Sequence, residues 1–89
     1  VGPSYRLALA YPLQIAIFNG DLDVVKLLLD RGVDVNAQSP EDGVTALHVA
    51  TLSDDKEQMM QMLLGRGADR SIKDKMGRTA ADYSHPDFK

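Results

Sequence analysis

His48 has the widest chemical latitude in this chain, because Ser53, Asp54 and Asp55 follow it closely and would together offer a base, a nucleophile and an orienting carboxylate. Acyl transfer of that kind requires the nucleophile within hydrogen-bond reach of a base that a third group orients. No Gly-x-Ser-x-Gly elbow presents a serine for it. An independent hydrolase on His48 and Asp54 is therefore a reading that unchanged activity in a His48→Gln protein would remove. The other histidine, His85, stands far along the chain with no paired-ligand spacing, and there is no cysteine. A zinc site is not expected. Glu41-Asp42 and Asp54-Asp55 are carboxylate pairs, but a general-acid pair needs burial or apolar neighbours to separate its two pKa values, and these pairs sit in polar turns. Gly65-Arg66-Gly67 follows an apolar helical run rather than opening one, so it closes a helix and is no phosphate cradle.

Composition narrows the classes further. The chain has 89 residues, 44% hydrophobic and 26% charged, the balance of one small globular domain. Ten basic against thirteen acidic side chains leave a net charge of −3, the opposite of a nucleic-acid footprint. The absence of cysteine fits a reducing compartment, so cytosol or nucleus is expected. The run from Leu7 to Phe18 is interrupted by Pro12 and Gln14 and is too short to cross a bilayer. A start at Val1 rather than Met suggests a piece of a longer chain. No cofactor is implied.

The elements that must position these residues follow from local chemistry. Pro12 suits a first helical position and Gly20 a left-handed close, which predicts a helix over about 12–19. Asp21 caps a second, about 22–31, with Leu22, Val25, Leu28 and Leu29 on one face and Gly32 at its end. Thr45 caps a helix over about 46–52. Asp54 or Asp55 opens another that carries Met59, Met60, Leu63 and Leu64 to Gly67, with Met59 and Met60 at core spacing and Met76 in an exposed turn. Thr79-Ala80-Ala81-Asp82 reads as a capping box heading a last, truncated helix. Between them, 33–44 and 68–78 are extended, with Gly43 and Gly77 at tight-turn positions and too little alternation for a strand.

These elements recur. Leu13-Gln14-Ile15-Ala16 lies over Leu47-His48-Val49-Ala50 at a shift of 34, as does Gly43-Val44-Thr45-Ala46 over Gly77-Arg78-Thr79-Ala80. Residues 27–34 fall on 62–69 at a shift of 35, so one extra residue sits within Leu52–Lys56. A fixed period near this length is the mark of a stacked repeat.

The succession resembles the ankyrin repeat, through Gly43-Val44-Thr45-Ala46-Leu47-His48-Val49-Ala50, Gly67-Ala68-Asp69, Tyr11-Pro12-Leu13-Gln14-Ile15-Ala16, Gly32-Val33-Asp34-Val35-Asn36-Ala37 and Gly77-Arg78-Thr79-Ala80-Ala81-Asp82-Tyr83. The resemblance implies an all-α solenoid of stacked antiparallel helix pairs joined by β-hairpin-like loops. It divides a single domain, 1–89, into an N-terminal cap or preceding partial repeat (1–10), repeats at 11–43 and 44–76, and a truncated capping repeat (77–89). It implies that His48 hydrogen-bonds Thr45 and neighbouring backbone. Tyr11 and Gln14 depart from the Thr and His of the pattern, so the bonding there must differ or be absent. Ser39–Asp42 makes the first loop tip one residue longer than usual.

The implied stack is a protein-protein interaction module that binds through its hairpin loop tips and concave helix face, and the residues, charge and segment lengths above point to no enzymatic role, no metal and no membrane or direct nucleic-acid partner. Its contact positions are then Phe18, Asn19, Pro40, Glu41, Asp42, Val44, Leu52, Ser53, Lys75, Met76 and Arg78, with Phe18 beside Leu52 as the apolar anchor. The acidic tip 40–42 and the basic tip 75–78 either pair with each other or present a two-signed edge to a partner. Asn36, with Leu28, Asp34 and Val35 before it, resembles the substrate pattern of an asparaginyl hydroxylase. The alternative is a cis-acting regulatory segment of a larger enzyme or transcription regulator, binding flanking domains of its own chain.

Overall fold

The computed structural model describes residues 10–83. The proposed N-terminal cap, His85 and the end of the last repeat lie outside them, Ala10 aside. Among the described residues five helices follow in order: α1 (Ala10–Phe18), α2 (Leu22–Asp30), α3 (Ala46–Ala50), α4 (Lys56–Gly65) and α5 (Ala80–Tyr83). No strand occurs among the described residues. The architecture is the expected all-α stack: α1 packs on α2, α3 on α4, and the inner helices α1, α3 and α5 lie side by side.

Each boundary has a local cause. Asp21 takes the N–H of Val24 at 3.3 Å and starts α2. Thr45 starts α3 with a reciprocal box: its hydroxyl accepts from the His48 N–H, and His48 Nδ1 accepts from the Thr45 N–H at 3.1 Å. Gly32 and Gly67, at φ of +84° and +92°, take the left-handed position just beyond α2 and α4. For α5, Asp82 Oδ2 reaches back to the Thr79 N–H at 2.9 Å.

One expected start is corrected, and one is narrowed to the second of its two candidates. The first helix begins at Ala10 rather than Pro12; a proline is harmless throughout a first turn, where N–H groups have no intrahelical partner. Helix α4 begins at Lys56, and Asp55 caps it without a side-chain bond. There the turn is held instead by the Ser53 hydroxyl, which accepts the Asp55 N–H at 3.2 Å. This Ser-turn absorbs the residue that lengthens the period from 34 to 35.

One apolar cluster runs through both repeats: Leu13, Ile17, Val25, Leu29, Leu47, Ala50, Met59, Leu63 and Ala80 are all buried in it. Met60 is half-buried against its edge, whereas Met76 is 76% exposed at a loop tip. Burying such side chains at about 25 cal/mol per Å² is what holds the modules together, since neither helix pair covers its own apolar face.

Candidate interaction surface

Polar cross-links fix the two loop tips against the helices and against each other. Within the first tip the Gly43 N–H donates to Ser39 O at 2.7 Å, a five-residue turn; in the second, Gly77 N–H donates to Asp74 O at 2.9 Å, a four-residue turn. The extra residue of the first tip is thus real. Gln38 Nε2 donates to both Gly43 O and Lys73 O at 2.9 Å, and the Lys75 N–H donates to Asp42 O at 2.9 Å. The Lys75 ammonium donates to the Pro40 carbonyl. The tips therefore do join, but through backbone carbonyls; the carboxylates of Glu41 and Asp42 stay on the exposed edge.

The second tip is braced from inside. The Asp74 carboxylate is buried and accepts from the N–H groups of Met76 and Arg78 at 2.9 Å, from Arg78 Nε at 3.2 Å and from the Tyr83 hydroxyl at 2.5 Å. Those donors, the phenol first, hold its pKa down at about 2, against the opposing effect of burial. Burial and the facing carboxylate push the Tyr83 phenol up to about 12. The Tyr83 ring lies edge-on to His48, with centroids 4.7 Å apart, and carries the Arg78 guanidinium 5.3 Å from its centre.

His48 is fully buried and both ring nitrogens are engaged: Nδ1 accepts from Thr45, so Nε2 carries the proton and donates to Arg78 O at 2.8 Å. Neither nitrogen meets Ser53 or Asp54, and no triad forms. Its neighbours match the bonding implied by the resemblance. The departure at Gln14 does not abolish that bonding, because Gln14 Nε2 donates to Val44 O at 2.9 Å and its Oε1 accepts from Ser39 Oγ at 3.0 Å. No group of three or more His, Asp or Glu suited to a metal occurs among the described residues.

Of the sequence-derived contact positions, Phe18, Asn19, Pro40, Glu41, Asp42, Leu52, Lys75 and Met76 are exposed. Val44 and Arg78 are half-buried, and Arg78 is already engaged with Asp74 and Tyr83. Ser53 is corrected: it is buried and spends its hydroxyl on Asp55. Phe18 is 67% exposed. Tyr11, Gln14, Ile15, Phe18 and Val49 line an open, mostly apolar groove of about 220 Å³ between α1 and α3, and Leu52 is not among its walls. Tyr11, Ile15 and Phe18 form the exposed stripe of α1 at helical spacing. Sequence reasoning assigned Tyr11 and Ile15 no contact role. A signal existed, since Gln14 is the only polar side chain in Ala10–Phe18, and a helix apolar all round needs cover on every side.

Asn36 stitches the repeats together: its Oδ1 accepts the Asp69 N–H at 2.7 Å and its Nδ2 donates to Gly67 O at 3.1 Å. Arg66 pairs with Asp30 across the same junction and lowers the Asp30 pKa.

Residues 9–84 match the family profile described as Ankyrin repeats (3 copies). The chain is 41% identical over 73 residues to "Ankyrin repeat and SAM domain-containing protein 6" of Rattus norvegicus, covering 82% of this chain and 8% of that protein. It is 39% identical over 77 residues to "Protein phosphatase 1 regulatory subunit 27" of Mus musculus, covering 86% and 49%. It is 41% identical over 64 residues to the human "2-5A-dependent ribonuclease", covering 72% and 8%. The chain thus spans half or less of the length of these relatives.

Proposed function

The chain belongs to the ankyrin-repeat family, whose repeats are protein-protein interaction modules, and from that premise we propose that it binds a protein partner through the α1–α3 groove and the two loop tips. The observation that carries this reading is the groove itself: Tyr11, Ile15 and Phe18 stand exposed beside Val49, an apolar patch with aromatic side chains of the kind that anchor interfaces. Asn19 and Leu52 extend the helix side of the surface. Pro40, Glu41, Asp42, Lys75 and Met76 supply a polar, two-signed rim that sets orientation and on-rate more than affinity. Cytosol or nucleus is the proposed location, on the absence of cysteine.

Selection of peptides against the immobilised chain, followed by titration, tests this. Phe18→Ser should weaken the selected peptides tenfold or more, on the scale of an aromatic anchor at about 1.4 kcal/mol or above. Peptides that bind equally well to Phe18→Ser and to a protein with Glu41 and Asp42 reversed to Lys would remove the reading.

A second reading is favoured by the short share of each relative that this chain covers. In it the partner is a flanking domain of the same longer polypeptide, and the module regulates that domain in cis. Asn36 is a proposed hydroxylation site under either reading. Its two junction bonds must open before an enzyme reaches it, and mass spectrometry of protein from cells would show an oxygen added at that residue or none.

A further inference from the structure

The two loop tips share one backbone plan and differ at one equivalent position. In the first, the Ser39 N–H donates to Val44 O at 2.9 Å and Ser39 O accepts from the Gly43 N–H at 2.7 Å; in the second, the Asp74 N–H donates to Arg78 O at 2.8 Å and Asp74 O accepts from the Gly77 N–H at 2.9 Å. Ser39 therefore stands where the second tip keeps a carboxylate. That carboxylate takes the N–H groups of Met76 and Arg78, whereas the Ser39 hydroxyl donates its proton to Gln14 Oε1 at 3.0 Å. In the first tip the Val44 N–H goes to the Asp42 carboxylate instead. The Glu41 N–H, two residues after Ser39 as Met76 is after Asp74, meets no acceptor among the described residues. A position that holds an anion in one tip thus has a neutral occupant in the other.

Ser39 is also the only Ser or Thr in the chain that a proline follows. Proline has no N–H and biases the residue before it toward extended backbone, and one class of protein kinases reads that pair in the extended segment its cleft holds. Ser39 is half-buried and Pro40, Glu41 and Asp42 after it are exposed. An exposed tip of this kind opens locally at low cost.

We propose that Ser39 is a phosphorylation site for a proline-directed kinase, and that its phosphate takes in the first tip the place of the Asp74 carboxylate in the second. The Ser39 hydroxyl oxygen attacks the γ-phosphorus of a nucleoside triphosphate. The new O–P bond forms as the bond to the bridging oxygen breaks, nucleoside diphosphate leaves, and the hydroxyl proton passes to the base of the kinase. The phosphate brings a charge of about −2 and three acceptor oxygens. The Glu41 N–H is the donor open to it, and the Lys75 ammonium, held on the neighbouring Pro40 carbonyl, is the nearby cation. Gln14 loses the hydroxyl proton that its Oε1 accepts. Because Gln14 also lines the α1–α3 groove, modification of the tip reaches the binding surface; that step alone rests on the groove reading, and the experiment needs no partner.

The folded 89-residue chain is incubated with a purified proline-directed kinase and magnesium ATP, and the product is mapped by mass spectrometry and by amide exchange in NMR. A single phosphate is expected, on Ser39, abolished by Ser39→Ala and slowed about tenfold or more by Pro40→Ala. In the phosphorylated chain the Glu41 N–H should exchange about tenfold or more slowly than in the parent, as an amide that has gained a hydrogen bond does. Ser39→Asp should slow it in the same direction, by supplying the equivalent of the Asp74 carboxylate, and Ser39→Ala should leave it fast. No phosphate on the folded chain, a phosphate on another hydroxyl, or incorporation indifferent to Pro40→Ala overturns the site. Phosphorylated Ser39 with unchanged exchange at Glu41 overturns the place assigned to the phosphate.

Discussion

Gln14 does at the first repeat junction what His48 does at the second: each donates a side-chain N–H to the carbonyl of the residue that follows the tip glycine, Gln14 to Val44 at 2.9 Å and His48 to Arg78 at 2.8 Å. An amide and an imidazole reach the same place from equivalent helix positions. The difference lies behind them, where His48 Nδ1 also accepts from Thr45, whereas Gln14 Oε1 turns to Ser39 in the lengthened tip.

That equivalence predicts graded losses at position 48. His48→Gln keeps the donor to Arg78 and should cost about 1 kcal/mol, for the weakened Thr45 box. His48→Ala leaves the buried Thr45 N–H without its acceptor, removes one of the two donors to Arg78 O and opens space beside Tyr83, so about 3 kcal/mol is expected. Urea unfolding followed by circular dichroism measures both, and equal losses would show that the shared junction bond contributes little.

Gly43 should tolerate no side chain. Its φ is +72°, and a Cβ there would lie 2.9 Å from the Lys75 backbone nitrogen and 3.3 Å from the Asp74 carbonyl carbon. Gly77 has a φ of +78° with open space around it. Gly77→Ala should therefore cost about 1 kcal/mol for the left-handed conformation alone. Gly43→Ala should cost about 2 kcal/mol or more, because backbone must shift as well. Thermal denaturation of the two variants side by side checks the difference, whose reversal would mean that the tips are not held together in solution.

The Asp74–Tyr83 pair sets both ends of the pH profile. Asp74 has its pKa depressed from 3.8 to about 2, so its contribution to stability is present above the unfolded value and is lost as pH falls from about 4 through 2. Tyr83 has its pKa raised from 10.0 to about 12, so its contribution is whole below pH 10 and is lost as pH rises through 12. Tyr83→Phe should abolish the alkaline loss and move the Asp74 titration upward, since the phenol is the largest influence holding that carboxylate ionised. Melting temperatures across pH 2–12 would show it. An unchanged alkaline limb in Tyr83→Phe would exclude the pair as its origin.

Much of this architecture was legible because Gly20, Gly32, Gly43, Gly67 and Gly77 all take positive φ where the turns require it, and because the buried Val25, Leu29, Met59 and Leu63 recur at helical spacing. What escaped is equally physical. Ser53 was assigned to the surface through its place in the period, but the inserted residue beside it turns the hydroxyl inward to hold Asp55. The Asp74 brace had half a signal, an Asp three residues before Gly77 as in a type I turn. Its partner Tyr83 is nine residues away, and only the stacking of α5 on α3 brings the phenol to it.

The acidic tip separates binding from folding within two adjacent residues. Glu41 is exposed and makes no side-chain hydrogen bond or ion pair among the described residues, whereas the Asp42 carboxylate caps the Val44 N–H at 3.1 Å and its carbonyl receives the Lys75 N–H. Glu41→Lys should then leave the unfolding free energy within about 0.5 kcal/mol of the parent, as expected for an exposed site. Asp42→Lys should cost about 1 kcal/mol through the lost cap, while helicity at room temperature stays near that of the parent. For a cationic partner both changes should slow association and flatten its salt dependence, because rim charges act mainly on encounter. If Glu41→Lys destabilises the fold as much as Asp42→Lys does, the tip holds the stack together and is not a rim free to meet a partner.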